Sequence, residues 1–171
     1  LDEDFEATGL VYLYYSAPDA VENRLSRFEV LADRLDLASE QVLLTIPTQR
    51  ESCCHTGGGM AWGGGLLHLA TGDNSNPHRI PYAPIDATSA VDDARRTSAN
   101  TQDLRGKILR IRPTEAGYEV PDGNLFLDAA EGRAEVFVMG TRNPFTMTFD
   151  EPTGTLYWGE IGPDALDDDP D

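Results

Sequence analysis

Three short stretches hold residue types that could do chemistry. In "ESCCHTGGGMAWGGGLLHLATGD", residues 51 to 73, two adjacent cysteines precede His55 and two glycine triplets follow it. A neutral imidazole accepts a proton near working pH, which makes His55 a candidate general base. A structural histidine accounts for the same residue, and composition alone favours that plainer reading. The glycines would let a flat ligand approach the backbone. They do not cradle phosphate, because neither G-x-x-x-x-G-K-[ST] nor G-x-G-x-x-G occurs. "CCH" lacks the two-residue spacer of a haem attachment site, and structural zinc would need ligands beyond His68 and His78. In "GTRNPF", residues 140 to 145, Arg142 and Asn143 stand directly before a proline that holds the preceding residue extended. Arg142 offers a planar fork to a carboxylate or a quinone oxygen, whereas an exposed loop arginine paired with one of the thirty acids is the simpler alternative. In "WGEIGPDALDDDPD", residues 158 to 171, Gly162 and Pro163 end a strand with carbonyls to spare, and Asp164, Asp167, Asp168 and Asp169 follow. Carbonyls with carboxylates suit a hard cation such as Ca²⁺, although the spacing is not that of an EF-hand loop. A solvated acidic run explains the aspartates equally well.

These residues need elements to position them, and the pattern predicts strands. "LVYLYYSA" (10 to 17), "RLSRFEVLA" (24 to 32) and "QVLLTIP" (41 to 47) are short runs rich in aromatic and β-branched residues. Asp33, Asp36 and Ser39 break the stretch between the last two, which argues against one amphipathic helix and for short strands. "GMAW" and "LLHLATGD" flank a glycine turn and read as a hairpin. "KILRIRP" (107 to 113) alternates with period two, and "AEVFVMG" (134 to 140), "FTMTFD" (145 to 150) and "TLYWGEIG" (155 to 162) add three more strands. Residues 74 to 106, rich in Pro, Asn, Asp and Ser, are expected to be one long loop. About nine strands and no long helix make an all-β chain, and strands at this spacing fit a sandwich, a barrel or a propeller.

Charge narrows the partners. The 171 residues carry 18 Asp and 12 Glu against 12 Arg and one Lys, a net charge of -17. Nucleic acid is excluded as a partner on electrostatic grounds. An acidic surface that repels itself at low salt, with almost no lysine, fits a halophilic source, and an ordinary acidic protein is the alternative. No run of 18 apolar residues occurs, so no membrane span is expected in this segment. Two cysteines are too few for a disulfide scaffold, and being adjacent they could form only a vicinal bridge or stay as thiols. The ends lack an initiator Met, a signal peptide and a natural tail, which suggests an internal piece of a longer protein.

Taken in order, H-x-G-G with its hairpin and "ATGD", then "LRGKILRIRP", "PDGNLF", "EVFVMGTRNPF" and "TGTLYWGEIGPDA", resemble the soluble glucose/sorbosone dehydrogenases. The resemblance extends over nearly the whole chain, since "DEDFEATGLVYLYYS" also looks like the family's segment just upstream. It implies an all-β fold: a six-bladed β-propeller of four-stranded antiparallel blades. Residues 1 to 171 would be a partial propeller domain of about two to three blades. It implies oxidation of an aldose sugar, or a related polyol or aldehyde, with pyrroloquinoline quinone (PQQ) and Ca²⁺ as cofactors and an external electron acceptor. His55 then matches the catalytic histidine, Arg142 and Asn143 the pair at the quinone carbonyls, and Gly162 and Pro163 the backbone carbonyls that hold Ca²⁺. Location outside the cytoplasm, extracellular or at the cell surface or periplasm, goes with it. One departure stands out: Cys54 occupies the place where the glucose-oxidising members have an acidic residue that orients the histidine. Another is the hairpin turn, "WGGGL", where the family usually has an aspartate. The family's residues beyond this segment, and the blades that close the ring, are missing, so the segment alone is expected to bind cofactor poorly and to be inactive. The Cys54 departure motivates an alternative, a non-enzymatic propeller that binds carbohydrate or a partner protein. A Ca²⁺-dependent lactone hydrolase is a third possibility.

Overall fold

Alternating apolar residues become strands because each strand can turn one face inward and bond its backbone to a neighbour. The structure, a computed structural model, describes residues 1–76 and 94–162. A one-turn helix α1 (Phe5–Thr8) precedes ten strands: β1 (Leu10–Ser16), β2 (Glu22–Leu31), β3 (Arg34–Pro47), β4 (Met60–Gly63), β5 (Leu66–Thr71), β6 (Lys107–Thr114), β7 (Gly117–Glu119), β8 (Val136–Met139), β9 (Pro144–Asp150) and β10 (Thr155–Glu160). A 3₁₀ turn lies at Ala94–Arg96. Among the described residues no helix is long and apolar enough to cross a membrane.

The strands form three antiparallel sheets: β1-β2-β3, then β4-β5-β6 with β6 bordered by both β7 and β8, then β9-β10. In the second sheet, β8 pairs with the first half of β6 and β7 with its last three residues, so five strands fill four positions. This is the partial β-propeller that the resemblance implies. The first sheet packs on the second. Tyr12, Leu25, Leu44 and Ile46 from one meet Leu67, Leu69, Leu109 and Ile111 from the other, and Tyr12 meets Trp62 edge-on with ring centroids 5.4 Å apart. Arg27 bridges the same two sheets by donating Nη1 to the Thr114 carbonyl, 2.7 Å away.

Two details differ from the sequence expectation. The stretch from Arg34 to Pro47 is one 14-residue strand rather than short pieces. Asp36 and Ser39 are accommodated at the ladder itself, where Ser39 Oγ accepts the Glu29 N–H at 2.8 Å. The register shifts between Leu25 and Ser26, where Leu25 faces Leu44 and Ser26 faces Val42. Leu43 is the extra residue, and this bulge lets neighbouring Leu43 and Leu44 both be buried. The glycine turn behaves as expected: Gly63 pairs with Leu66, and Gly64 and Gly65 between them take φ of 60° and 71°, the left-handed pair that a tight hairpin needs.

Candidate active site

The segments that follow β3, β5, β8 and β10 meet at one end of the sheets, and hydrogen bonds stitch them together. Gln49 N–H donates to Asn74 Oδ1 at 2.6 Å, Asp73 N–H to the Arg142 carbonyl at 2.7 Å, and Gly57 N–H to Asn143 Oδ1 at 3.1 Å. His55, Arg142, Asn143 and Gly162 therefore share one end of the fold. Pro163 and His78 lie outside the described residues.

His55 is 4% exposed and sits five residues before β4. Its φ of 48° is left-handed, an uncommon setting for a residue with a side chain. Two contacts hold it there. Asn74 N–H donates to the His55 carbonyl at 3.0 Å, and Gly72 passes so close that a Cβ on it would stand 2.0 Å from that oxygen. The imidazole Nδ1–H donates to Asp73 Oδ1 at 2.8 Å, both groups buried. Asp73 also accepts from the N–H and the hydroxyl of Ser75, each at 2.9 Å, so the buried carboxylate is well satisfied. A carboxylate only accepts hydrogen bonds, so Nδ1 carries the proton, and in the neutral ring Nε2 presents the lone pair. Nε2 has no hydrogen-bond partner among the described residues.

The orienting carboxylate is thus present, but it comes from the "ATGD" segment after β5 and not from the residue before His55. Cys54 is joined to Cys53 in a vicinal disulfide across a cis peptide bond. The sequence could have pointed to Asp73, since it ends the same stretch that holds His55, but only the β4–β5 hairpin folds the chain back so that two residues 18 apart in sequence meet.

The glycines also work differently from the expectation. Gly57 packs against the Ala70 carbonyl and Gly72, where a Cβ would be 2.6 Å from the oxygen. Gly59 packs on Phe145, with a Cβ only 3.0 Å from its backbone, and Gly63 lies on the Phe149 ring. They let chain approach chain, and no flat ligand is needed to explain them.

Arg142 is half-buried, and its own N–H and that of Asn143 both donate to Glu160 Oε1, at 2.8 and 2.6 Å. Nη1 of Arg142 donates to the carbonyls of Ile161 and Gly162 at 3.0 and 2.7 Å. Nε and Nη2 have no partner among the described residues. Asn143 uses Oδ1 to accept from Gly57, which leaves its Nδ2 as the outward donor.

Beneath the site lies the chain's one lysine. Lys107 is fully buried, and its Nζ donates to the carbonyls of Thr97, Ser98 and Arg105 at 2.8, 3.0 and 2.8 Å. Burial pushes its ammonium down to about 8, so it still carries its proton at neutral pH and can make all three bonds. These bonds fix the turn at Gly106, whose N–H donates to the Gly72 carbonyl and whose own carbonyl accepts from Gly140 and Thr141. Gly106 therefore spaces the Asp73 segment from the Arg142 segment. Composition alone gave this lysine no role.

A model of the glucose/sorbosone dehydrogenase family matches residues 1–168. The chain belongs to the glucose/sorbosone dehydrogenase family. It is 30% identical over 115 residues to Escherichia coli (strain K12) aldose sugar dehydrogenase YliI, a match over 67% of this chain and 25% of that protein. Among solved structures it is similar to an oxidoreductase (glucose dehydrogenase) from Thermus thermophilus, with 30% identity and a TM-score of 0.74. That match covers 95% of this chain and 43% of the other. The apo-form of the soluble aldose sugar dehydrogenase from Escherichia coli shares the fold, with a TM-score of 0.69 at 23% identity over 95% of this chain and 42% of that one. This chain thus spans about a quarter of the curated relative and less than half of the solved structures.

Proposed function

We propose that the whole protein oxidises an aldose, or a related polyol or aldehyde, at the carbon bearing the reactive hydroxyl, with a bound quinone of the PQQ type as electron acceptor. The observation that carries this reading is the buried Asp73–His55 pair, with Nε2 unbonded among the described residues, at the same end as the edge of Arg142 that those residues leave free. His55 Nε2 takes the proton from the anomeric hydroxyl, and Asp73 steadies the imidazolium that results. The quinone, when bound, supplies the two-electron acceptor for the hydride leaving that carbon. Arg142 presents Nε and Nη2 to an oxygen that gains negative charge, and Asn143 Nδ2 adds a second donor. The product is the lactone of the sugar. Cys54 in place of an acidic neighbour does not argue for a non-enzymatic scaffold, because Asp73 already does the orienting.

The donors of Arg142 and Asn143, beside a base at His55, fit an electron-poor carbonyl compound such as a quinone. Calcium fits less well in this arrangement. The Gly162 carbonyl that was expected to ligate it is occupied by the Arg142 guanidinium, and two cations on one oxygen repel. Pro163 lies outside the described residues, and no group of three or more His, Cys, Asp or Glu among the described residues could hold a metal ion.

The disulfide supports a location outside the cytoplasm, where thiols become oxidised. The net charge of -17 supports a salt-rich source, and a thermal midpoint that rises steadily with added salt is the expected sign of it. The function is tested by supplying the whole protein with PQQ, an aldose and a redox dye. Lactone formation matched one-to-one by two-electron dye reduction, and lost in His55→Ala, is expected. Hydrolysis without dye reduction, or turnover undiminished in His55→Ala, would overturn the reading.

A further inference from the structure

A second feature stands beside His55 that the proposed reaction does not use. A cleft of about 360 Å³ opens between the β1–β2 turn, the segment after β3 and the Cys53–Cys54 disulfide. It is flanked by Cys54 and Thr56, the residues on either side of His55, so it adjoins the candidate active site. Hydroxyls and amides dominate its wall: Ser16, Asn23, Thr48 and Thr56, with Arg50 as the one cation among the described residues. Part of the wall is locked in place. Asn23 is 3% exposed, accepts from Ser16 Oγ at 2.9 Å and donates to the Tyr14 hydroxyl at 3.0 Å. Arg50 is anchored through Nη2 to the Ala17 carbonyl at 2.5 Å. The remaining groups have bonding capacity left. Among the described residues the hydroxyls of Thr48 and Thr56 and Nη1 of Arg50 have no partner.

Between these polar groups the disulfide contributes two sulfurs with their Cβ atoms, a compact, uncharged and polarisable patch that donates no hydrogen bonds. One apolar patch ringed by hydroxyl and amide groups is the complement of a sugar ring, which has a C–H face and a rim of hydroxyls. A strongly anionic ligand is disfavoured, because a single arginine must act against a net charge of -17. The geometry points to a neutral-carbohydrate subsite in which a sugar ring rests on the Cys53–Cys54 disulfide and its hydroxyls bond Thr48, Thr56 and Arg50. The subsite rests on the sugar reading above, and it holds the part of the substrate away from the reacting carbon. It also gives position 54 a use: the residue expected to be acidic builds the sugar's resting surface.

The test is direct binding of neutral disaccharides (maltose, cellobiose and lactose) to the whole protein by calorimetry, with no quinone present. At least one is expected to bind. Reducing the disulfide with a phosphine, under conditions where the far-ultraviolet spectrum is unchanged, should raise its Kd about tenfold, and reoxidation should restore it. Cys53→Ser/Cys54→Ser should behave like the reduced protein. Thr48→Val leaves the disulfide intact, keeps the test valid if the cysteine pair cannot be replaced, and should raise Kd about three- to tenfold through one lost hydrogen bond. The proposal fails if none of the three sugars binds, if folded reduced protein binds as tightly as before, or if Thr48→Val changes nothing. Because binding needs no quinone, sugar binding without dye reduction would sink the oxidoreductase reading and leave the subsite standing. Dye-linked turnover with a Kd indifferent to the disulfide would sink the subsite alone.

Discussion

Replacing Asp73 by Asn keeps the size of the side chain and removes the property on which His55 depends. The carboxylate accepts from His55 Nδ1 at 2.8 Å and from the Ser75 N–H and hydroxyl at 2.9 Å each. An amide that keeps its oxygen at the Oδ1 position still accepts from both the Ser75 N–H and His55 Nδ1, but it carries no charge. The ring keeps its tautomer, yet the imidazolium that forms as Nε2 takes the substrate's proton loses the buried carboxylate that steadies it. General-base catalysis is worth about 10²- to 10⁴-fold, equivalent to about 2.7–5.4 kcal/mol on the barrier at about 1.36 kcal/mol per tenfold. Asp73 is 2% exposed and has no face toward a substrate, so the loss should fall on kcat with KM nearly unchanged. The assay is dye-linked sugar oxidation by the whole protein, paired with nitrogen NMR of the ring, which should show the wild-type tautomer. A kcat within about threefold of wild type would refute the reasoning.

Other expectations follow from the same geometry. Gly72→Ala drives a Cβ to 2.0 Å from the His55 carbonyl, so the His55 backbone must move; kcat should fall at least about tenfold while the far-ultraviolet spectrum stays native, and an unchanged kcat would contradict the contact. Arg142→Lys keeps the charge but loses the planar fork that bonds Ile161 and Gly162 while facing outward, so quinone affinity measured by titration should weaken about tenfold or more; equal affinity would contradict the assignment. His68 is buried between Phe137 and Phe149, with ring centroids 5.6 Å from each, and burial holds its pKa below the ordinary value. The unfolded chain therefore binds the proton first as pH falls, so stability is full above about pH 6.5 and declines below it. The thermal midpoint should drop between pH 7.5 and 5.5 in wild type and less in His68→Phe; equal slopes would remove His68 as the cause.

Much of the fold was legible because its strands advertise themselves. Period-two alternation marked Lys107–Thr114, and two glycines marked the β4–β5 turn. The full length of β3 was hidden because its hairpin turn uses Ala32 with a φ of 58°, a setting usually advertised by Gly or Asn. The one-turn helix and the three-residue β7 are too short to leave a pattern. In the site, His55, Arg142 and Asn143 were visible as residue types, and their family resemblance gave them roles. Asp73 was not, because its pairing with His55 depends on a chain reversal rather than on local spacing. Lys107 was silent for a similar reason: its three partners are carbonyls, which every residue has, and only burial makes them matter. The cysteine pair left two chemistries open, and the structure contains the disulfide.

The central claim is that His55 Nε2 takes a proton while hydride leaves the same carbon for a bound quinone. Mixing the quinone-loaded whole protein anaerobically with an aldose, and with the same aldose deuterated at its anomeric carbon, tests it directly. The account predicts a single-turnover absorbance change of one quinone per protein, slower with the deuterated sugar and abolished in His55→Ala. No absorbance change with any aldose, or a change whose rate ignores both the deuterium and the His55 substitution, would contradict it.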